Sequence, residues 1–299
     1  MDLFTGFDER NVDVSGGVIH ARIGGDGPPV LLLHGYPETH AAWHRVAPQL
    51  SKSFSVVAAD LPGYGESLGA SQGAPLDQFS KRVWAAMLIE AMDRLGYSSF
   101  TVIGHDRGGR VAYRMALDHP SRVKALVSLT VVPTTEVWQR VNSSFAMGAY
   151  HWFMLAQPFD LPERLIGADP DYFLDWTLTR MGASDANLHP AALASYRASF
   201  RKAEVRHAIC QDYRCAASFD LQYDTEDRRL NRRIACPTLI LWTDKRVRSI
   251  GDAGPLEIWR DWATNVRGSP IAAGHLLPEE APDQVLAEAI PFLKNVMHS

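Results

Sequence analysis

Apolar residues follow two periods along the first 133 residues, one typical of buried strands and one typical of helices. Val30-Leu31-Leu32-Leu33 is a short, continuous apolar segment, as expected of a strand that is buried on both faces of a sheet. Residues 77–95 instead place apolar side chains three or four positions apart, and Gly96 then provides a helix C-cap signal. Alternation of such strands and helices predicts an α/β fold with a mostly parallel central sheet.

The same pattern predicts the other elements of the sheet and its covering helices. They are an N-terminal hairpin at residues 11–23, strands at residues 54–59, 100–103, 123–132, 237–242 and 269–272, and helices at residues 43–50, 107–117 and 282–296. Between residues 134 and 229 no strand-like segment occurs, and helical segments rich in aromatic residues take its place. We therefore expect a core domain (residues 1–133 and 230–299) interrupted by a helical cap domain (residues 134–229), with a ligand pocket between them.

Composition narrows the choice of partners and compartments. The 299 residues are 46% hydrophobic, enough for a sizeable core, and the net charge of −4 arises from mixed charges without a basic cluster. Nucleic acid and membranes are therefore not expected as partners. Neither a signal peptide nor an apolar stretch of about 20 residues is found. Cys210, Cys215 and Cys236 lack metal-type spacing, so we expect reduced thiols without a chemical role, and no metal site, in a cytoplasmic protein.

The segment Gly104-His105-Asp106-Arg107-Gly108 joins a predicted strand to a predicted helix. Glycines two positions before and two after Asp106 allow the strand and the helix to pack closely around a tight turn. This spacing resembles the nucleophile elbow of α/β-hydrolases, in which the central side chain is exposed at the edge of the sheet. A carboxylate there can attack saturated carbon and form an ester that water hydrolyses. Asp106 therefore indicates dehalogenation or epoxide opening rather than an esterase, and an Asp that only caps a helix is the alternative.

Two further segments supply candidate partners for Asp106. In His34-Gly35-Tyr36-Pro37, which follows a buried strand, the backbone N–H of Tyr36 is expected to form an oxyanion hole together with that of Arg107. His275 lies in the loop after the last predicted strand, beyond the helical insertion. That position suits a general base that activates water against the Asp106 ester, whereas the alternative is a histidine of a surface loop.

Arg107 and Arg110 lie three residues apart and therefore share one face of the helix that begins at the turn. Cations are the less favoured charge at a helix N-terminus, which argues against a purely structural role. Two guanidinium groups beside Asp106 are expected to bind a substrate carboxylate and to offset its repulsion by the nucleophile. The expected partner is therefore a small anionic organic substrate. The alternative is that both arginines form salt bridges at the surface.

These motifs together resemble the fluoroacetate (haloacetate) dehalogenases, over nearly the whole chain. The matching segments are His34-Gly35-Tyr36-Pro37-Glu38-Thr39-His40, Gly104-His105-Asp106-Arg107-Gly108-Gly109-Arg110, Tyr150-His151-Trp152, Asp212-Tyr213-Arg214 and Gly274-His275-Leu276-Leu277-Pro278-Glu279-Glu280-Ala281-Pro282. The resemblance implies that a homodimer hydrolyses a 2-haloacid to the 2-hydroxyacid and halide without a cofactor. It also implies that His151, Trp152 and Tyr213 bind the departing halide through their N–H and O–H groups. His151 and Trp152 are adjacent, so they converge only at a helix end or a kink, and core packing is the alternative for Trp152.

One position departs from this family. The family's triad acid precedes a Pro-Thr pair by three residues, and Thr130 stands at that position here. Threonine cannot carry the negative charge that orients His275 and stabilises its imidazolium. Asp244, after a later strand, and Glu136 are the candidate substitutes, and without either the ester would be hydrolysed slowly. Two other functions therefore stay open: an epoxide hydrolase with the same nucleophile, and a turnover-impaired protein that binds or senses small carboxylates.

Overall fold

The computed structural model describes residues 2–184, 186–244 and 254–297, whose strands form one eight-stranded sheet. The strands are β1 (Asp8–Val14), β2 (Gly17–Gly24), β3 (Pro29–Leu33), β4 (Ser55–Ala59), β5 (Phe100–His105), β6 (Val123–Leu129), β7 (Thr238–Thr243) and β8 (Val266–Ile271). Their spatial order is β1-β2-β4-β3-β5-β6-β7-β8. The predicted hairpin β1–β2 and the pair β2–β4 are antiparallel, and the other pairs are parallel. This mostly parallel sheet confirms the expected α/β architecture.

Helices cover both faces of the sheet and fill the segment between β6 and β7. They are α1 (Ala47–Leu50), α2 (Lys81–Arg94), α3 (Asp106–Asp118), α4 (Thr134–Gln139), α5 (Ser143–Gly148), α6 (His151–Met154), α7 (Leu161–Ala168), α8 (Pro170–Met181), α9 (Pro190–Phe200), α10 (Ala203–Ala216), α11 (Phe219–Arg229), α12 (Pro255–Arg260), α13 (Leu277–Glu280) and α14 (Pro282–Met297). Short 3-10 helices at His40–Trp43 and Leu76–Phe79 precede α1 and α2. Among the helices of the described ranges, none combines the length and the apolar character that a membrane crossing requires.

The central strands pack apolar side chains on both faces, as their continuous apolar pattern predicts. In β3, Leu31 and Leu33 belong to one hydrophobic cluster, to which α2 and α3 contribute, whereas Val30 and Leu32 belong to a second cluster, to which α1 and α14 contribute. Successive side chains of a strand point to opposite faces, so one strand serves both layers. The sheet is thus the middle layer of the molecule, and the carboxyl ends of its parallel strands are available for a site.

Several predicted boundaries differ from the structure. The helix expected over residues 43–50 is an α-helix only over Ala47–Leu50, after a 3-10 helix at His40–Trp43. Three other differences have a local reason. The helix expected over residues 77–95 is split, because Ser80 is extended and its hydroxyl caps the start of α2. β6 ends three residues earlier than predicted, since Thr130 adopts a φ of +65° that is incompatible with a strand. β8 begins three residues earlier than predicted, because it pairs along the whole length of β7.

All regular secondary structure described between β6 and β7 is helical, as expected. Buried ion pairs hold this segment to α3, for example Arg114 Nη2 to Asp224 Oδ1 of α11 at 2.7 Å. A backbone hydrogen bond from His275 N to Met181 O (2.9 Å) ties the loop after β8 to the end of α8. The helical segment therefore lies over the carboxyl ends of the strands. Its standing as a separate cap domain stays a prediction.

The three cysteines are free thiols, as expected. Cys210 and Cys215 are buried in α10, and Cys236 is half-buried. Burial raises the pKa of the Cys236 thiol to about 11 and raises the pKa of the other two further. All three thiols are therefore protonated near neutral pH, where the thiol is a poor nucleophile.

Candidate active site

Asp106 occupies a sharp turn between β5 and α3. Its φ of +46° is unusual for a residue other than glycine, and the turn leaves no room for side chains on either side. A Cβ on Gly104 would lie 2.4 Å from Gly108 O, and a Cβ on Gly108 would lie 2.3 Å from Leu33 O. The two glycines are therefore needed because the strand and the helix pack closely around the turn. The predicted tight turn is present.

The structure brings Tyr36 and His275 to opposite oxygens of the Asp106 carboxylate. The backbone N–H of Tyr36 donates to Oδ1 at 3.0 Å, and His275 Nε2 lies 3.3 Å from Oδ2. Burial alone would raise the pKa of Asp106, but the hydrogen bond and charge of His275, with smaller contributions from His105 and Arg107, hold that pKa well below its usual value. The carboxylate is thus ionised, oriented and next to an imidazole, as a nucleophile with a general base requires.

A buried His105–Glu38 pair, which sequence reasoning missed, supports this arrangement from behind. His105 Nδ1 lies 3.0 Å from Glu38 Oε2, and His105 Nε2 lies 2.8 Å from the backbone oxygen of His275. A carboxylate and a carbonyl are both acceptors, so both ring nitrogens donate. Burial lowers the pKa of His105, but the charge and hydrogen bond of Glu38 outweigh it and raise that pKa. The pair fixes the loop of His275. The sequence feature that could have revealed it is the position of His105 directly before Asp106.

Arg110 is a buried cation at the site without a carboxylate partner among the described side chains. It is 3% exposed, and its Nη1 donates only to neutral acceptors, Val132 O at 3.1 Å and Thr134 Oγ1 at 3.0 Å. Its Nε is buried without a hydrogen-bond partner, and its Cζ lies 4.6 Å from the centroid of the Trp152 ring. Burial lowers the pKa of Arg110. An anion bound here would satisfy both the charge and the unused donor.

Arg107 differs from Arg110, although the sequence predicts equivalent roles. Its Nε donates to Asp212 Oδ2 at 2.8 Å, and its Nη2 donates to the carboxylate and to the backbone oxygen of Asp212 (3.2 Å). Its Nη1 is buried and has no hydrogen-bond partner in the described part of the chain. Arg107 is fully buried, and it is not one of the residues that line the cavity. Of the two arginines, Arg110 therefore lines the cavity, and carboxylate binding by Arg107 stays a prediction.

The three residues expected to bind halide lie together. His151 and Trp152 are at the start of α6, and the centroids of their rings lie 5.7 Å and 6.0 Å from that of Tyr213 on α10. His151 also stacks on Tyr36, at 5.6 Å. Because α6 has a single turn, the two adjacent side chains converge as the prediction required. The Tyr213 hydroxyl is buried without a partner in the described residues, and burial raises its pKa well above the usual value, so it stays a donor.

A cavity of about 110 Å³ opens beside Asp106. Its walls are formed by Asp106, Arg110, Thr130, Val131, Val132, Val137, Phe145, Ala149, His151, Trp152, Met181, Trp242, Thr243, Pro255 and His275. Small-molecule sites commonly span roughly 300–1,000 Å³, so this one suits a ligand of only a few heavy atoms. Residues of the core and of the helical segment share the walls. The cavity thus lies where the sequence predicts a pocket.

Residues 28–280 match the family model for the alpha/beta hydrolase fold. This chain belongs to the α/β-hydrolase family. It is 37% identical over 310 residues to a fluoroacetate dehalogenase from Burkholderia sp., with 99% of this chain and 98% of the relative covered. That likeness confirms the resemblance drawn from the sequence.

Other relatives of this α/β-hydrolase carry a different name. A soluble epoxide hydrolase from Corynebacterium sp. (strain C12) is 32% identical, with 93% of this chain and 94% of the relative covered. The solved structure of a proposed epoxide hydrolase from Pseudomonas aeruginosa matches with a TM-score of 0.95 at 52% identity, covering 100% of this chain and 99% of that one. The chain is therefore a hydrolase, and the choice between the two reactions depends on its own site.

The candidates for the missing acid have different surroundings in this α/β-hydrolase. Thr130 lines the cavity, but its Oγ1 is buried and has no hydrogen-bond partner among the described residues. Glu136 is engaged elsewhere, because its carboxylate accepts from Trp262 Nε1 at 2.8 Å and from Arg140 Nη1 at 2.5 Å. Asp244 is exposed directly after β7, and its role stays a prediction. Asp106 is the one carboxylate that lines the cavity within the described ranges.

A cluster of metal-ligand type lies elsewhere in the described residues. It comprises His20, His40 and Asp60, whose ligand atoms lie within 4.8 Å of one another. The Asp60 oxygens already accept from His20 Nδ1 (3.1 Å), His40 Nδ1 (3.0 Å) and two backbone N–H groups. None of the three residues lines the cavity beside Asp106. The cluster is therefore explained by hydrogen bonding that joins β2 to the loops after β3 and β4.

Proposed function

We propose that this α/β-hydrolase converts a small 2-haloacid, fluoroacetate or chloroacetate, to the 2-hydroxyacid and halide through an ester of Asp106. The observation that carries the proposal is Arg110, a buried guanidinium at the cavity that pairs with no carboxylate in the described ranges. A buried charge without a hydrogen-bonded ion-pair partner is costly, and an anionic substrate supplies that partner. A neutral substrate would leave Arg110 without one. The small cavity also suits a haloacetate.

In the first half-reaction, Asp106 Oδ2 attacks the α-carbon from the side opposite the halogen. A C–O bond forms as the C–halogen bond breaks, and the halide leaves with the electron pair. The substrate carboxylate on Arg110 fixes the α-carbon next to the nucleophile. Donors from His151, Trp152 and Tyr213 stabilise the halide as its charge develops.

In the second half-reaction, His275 takes a proton from water, and the hydroxide attacks Cγ of the Asp106 ester. Oδ1 then carries the negative charge, beside the N–H of Tyr36 that already donates to it. The intermediate collapses, the 2-hydroxyacid oxygen leaves and takes the proton from His275, and the Asp106 carboxyl group releases the second proton of the water to solvent. The oxygen of the water molecule thereby enters the Asp106 carboxylate. Turnover in heavy-oxygen water is therefore expected to label Asp106.

Epoxide hydrolysis is the second candidate, and one observation favours it. The buried Tyr213 hydroxyl has no partner among the described residues and is able to donate to an opening epoxide oxygen. Two relatives of this chain carry the corresponding name. That reaction gives Arg110 no anion to bind, however, and it is therefore the weaker of the two.

The test follows halide release from fluoroacetate and chloroacetate and diol release from a terminal epoxide. We expect haloacetate turnover, reduced about a hundredfold or more in Arg110→Gln, because the variant keeps donors but loses the charge. Asp106→Asn is expected to abolish halide release, and undiminished release would exclude Asp106 as the nucleophile. Diol release without halide release would identify an epoxide hydrolase. Stoichiometric alkylation of Asp106 without turnover, read by mass spectrometry, would identify the binding or sensing protein.

A further inference from the structure

Asp212, on α10, binds the side chain that follows the nucleophile in sequence. Its carboxylate and its backbone oxygen together occupy Nε and Nη2 of Arg107, which leaves Nη1 as the one unused nitrogen. We propose that Asp212 is a positioning residue that holds Arg107 so that Nη1 donates to the substrate carboxylate bound by Arg110. This inference rests on the proposed function.

The charges along α3 support this assignment. Arg107, Arg110 and Arg114 follow one another at helical spacing and are all buried. The outer two are neutralised by aspartates of the helical segment: Arg107 by Asp212, and Arg114 by Asp224 and Asp227. The middle arginine faces the cavity without such a partner among the described residues. Asp212 thus belongs to a set of aspartates that bind the arginines on either side of Arg110, and Arg110 is left to bind the substrate carboxylate.

Asp212 is itself held from two sides. Tyr64 Oη donates to Oδ2 at 2.9 Å, and Lys81 Nζ contacts Oδ1. Lys81 also lies 3.3 Å from Asp220 Oδ2 and 4.6 Å from the centroid of the Trp84 ring. Asp212 is 0% exposed, so neither water nor a surface side chain replaces these contacts. The orientation of Arg107 is thus fixed before a substrate arrives, which lowers the ordering cost of binding.

The guanidinium groups of Arg107 and Arg110 contact the same aromatic ring. The Cζ atoms of Arg107 and Arg110 lie 5.6 Å and 4.6 Å from the centroid of the same Trp152 ring. Arg107 also covers the ring of Tyr213, at 4.3 Å from its centroid. A buried N–H without an acceptor is costly, and a carboxylate that reaches both guanidinium groups removes that cost. Asp212 therefore acts on the substrate through Arg107.

The test compares Asp212→Asn with Asp224→Asn, which disrupts the analogous buried pair of Arg114 further along α3. For Asp212→Asn we expect KM for chloroacetate and the inhibition constant of acetate to rise about tenfold, with kcat changing less than about threefold. Asp224→Asn is expected to change stability without this rise. Adding Asp212→Asn to Arg107→Gln is expected to raise KM no further than Arg107→Gln alone, since the first residue acts through the second.

The possible results distinguish a failure of the proposed function from a failure of the inference about Asp212. A wild-type protein that neither turns over haloacetates nor binds acetate would overturn the proposed function, and this inference with it. An active wild type in which both aspartate variants raise KM equally would overturn the inference alone and assign Asp212 a structural role. Additive effects in the double variant would do the same.

Discussion

Asp106 is held ionised although it is buried, and this has a consequence for pH dependence. The hydrogen bond and charge of His275 outweigh the effect of burial and keep the pKa of Asp106 well below its usual value. We therefore expect the single-turnover rate of ester formation to stay constant down to about pH 4, where an ordinary Asp, with a pKa of about 3.9, is nearly half protonated. Mass spectrometry of quenched samples measures the ester. A rate that halves near pH 4 would contradict the lowered pKa.

Thr130 is the residue at which this site differs most from its predicted family. It has a φ of +65°, which β-branched residues rarely adopt and Asp adopts more readily, and its side chain lines the cavity with His275. We expect Thr130→Asp to speed hydrolysis of the Asp106 ester about tenfold or more, because the carboxylate stabilises the imidazolium. The decay of the preformed ester in single-turnover experiments measures this step.

Thr130→Asn is the matched control for that change. Asn also adopts positive φ and has the same size as Asp, but it carries no charge. An equal gain in both variants would mean that relief of the backbone conformation, and not a restored acid, is responsible. Unchanged ester decay in Thr130→Asp would indicate that His275 already has the acid it needs.

The sequence identified single residues by their chemistry but not the partners that modify them. Asp106 and His275 follow from the turn and from the order of the strands, and the structure brings them to 3.3 Å. That Arg107 pairs with Asp212 was not predictable, because the pairing depends on how α10 docks over α3. The His105–Glu38 pair was missed for the same reason, since 67 positions separate the two side chains.

At the scale of elements, the turn between β5 and α3 depends on close backbone packing. We expect Gly104→Ala to lower the free energy of unfolding by about 1–3 kcal/mol, because its Cβ would lie 2.4 Å from Gly108 O and the backbone would have to shift. Chemical denaturation measures the change. Gly148→Ala is the control: beyond its chain neighbours and its own helix, no described atom lies within 4 Å of that Cβ, and Ala is the better helix former. Equal destabilisation by both substitutions would contradict the packing argument.

Most elements were predictable because period and burial agree in them. β3 is apolar throughout and is buried on both faces, so its pattern left little ambiguity. The predicted boundaries were wrong where a single residue overrides the hydrophobic pattern. Thr130 ends β6 although apolar residues continue after it, and Ser80 starts a new helix inside a helical period. Such changes come from backbone conformation and capping, which a hydrophobic pattern does not contain.

At the scale of the whole molecule, α3 connects the site to the helical segment. Its first residue is Asp106, and two of its buried arginines, Arg107 and Arg114, pair with Asp212 of α10 and with Asp224 of α11. The same helix thus carries the nucleophile and the ion pairs that hold the helical segment in place. This explains why the cavity walls come from both parts of the chain.

Exposed apolar residues on α7 and α8 lead to a prediction about assembly. Leu161 and Leu165 of α7 are 53% and 57% exposed, and Tyr172 and Trp176 of α8 are 65% and 49% exposed. Exposed apolar residues on neighbouring helices can mark an interface, and a homodimer is the simplest assembly in which such a surface is covered by its own copy. We propose that this surface joins two copies of the chain. Light scattering after gel filtration is expected to give twice the mass of one chain.

Leu165→Glu tests where the two copies meet. Placing a charge in an apolar interface is expected to weaken association at least about tenfold, because the carboxylate must be desolvated or the interface must open. Leu230→Glu is the matched control, since Leu230 is similarly exposed, at 46%, but lies after α11 rather than on α7 or α8. A dimer that resists Leu165→Glu but dissociates in Leu230→Glu would place the interface at the other surface. A wild-type monomer at all concentrations would exclude the dimer itself and would leave the α7–α8 surface to a different partner.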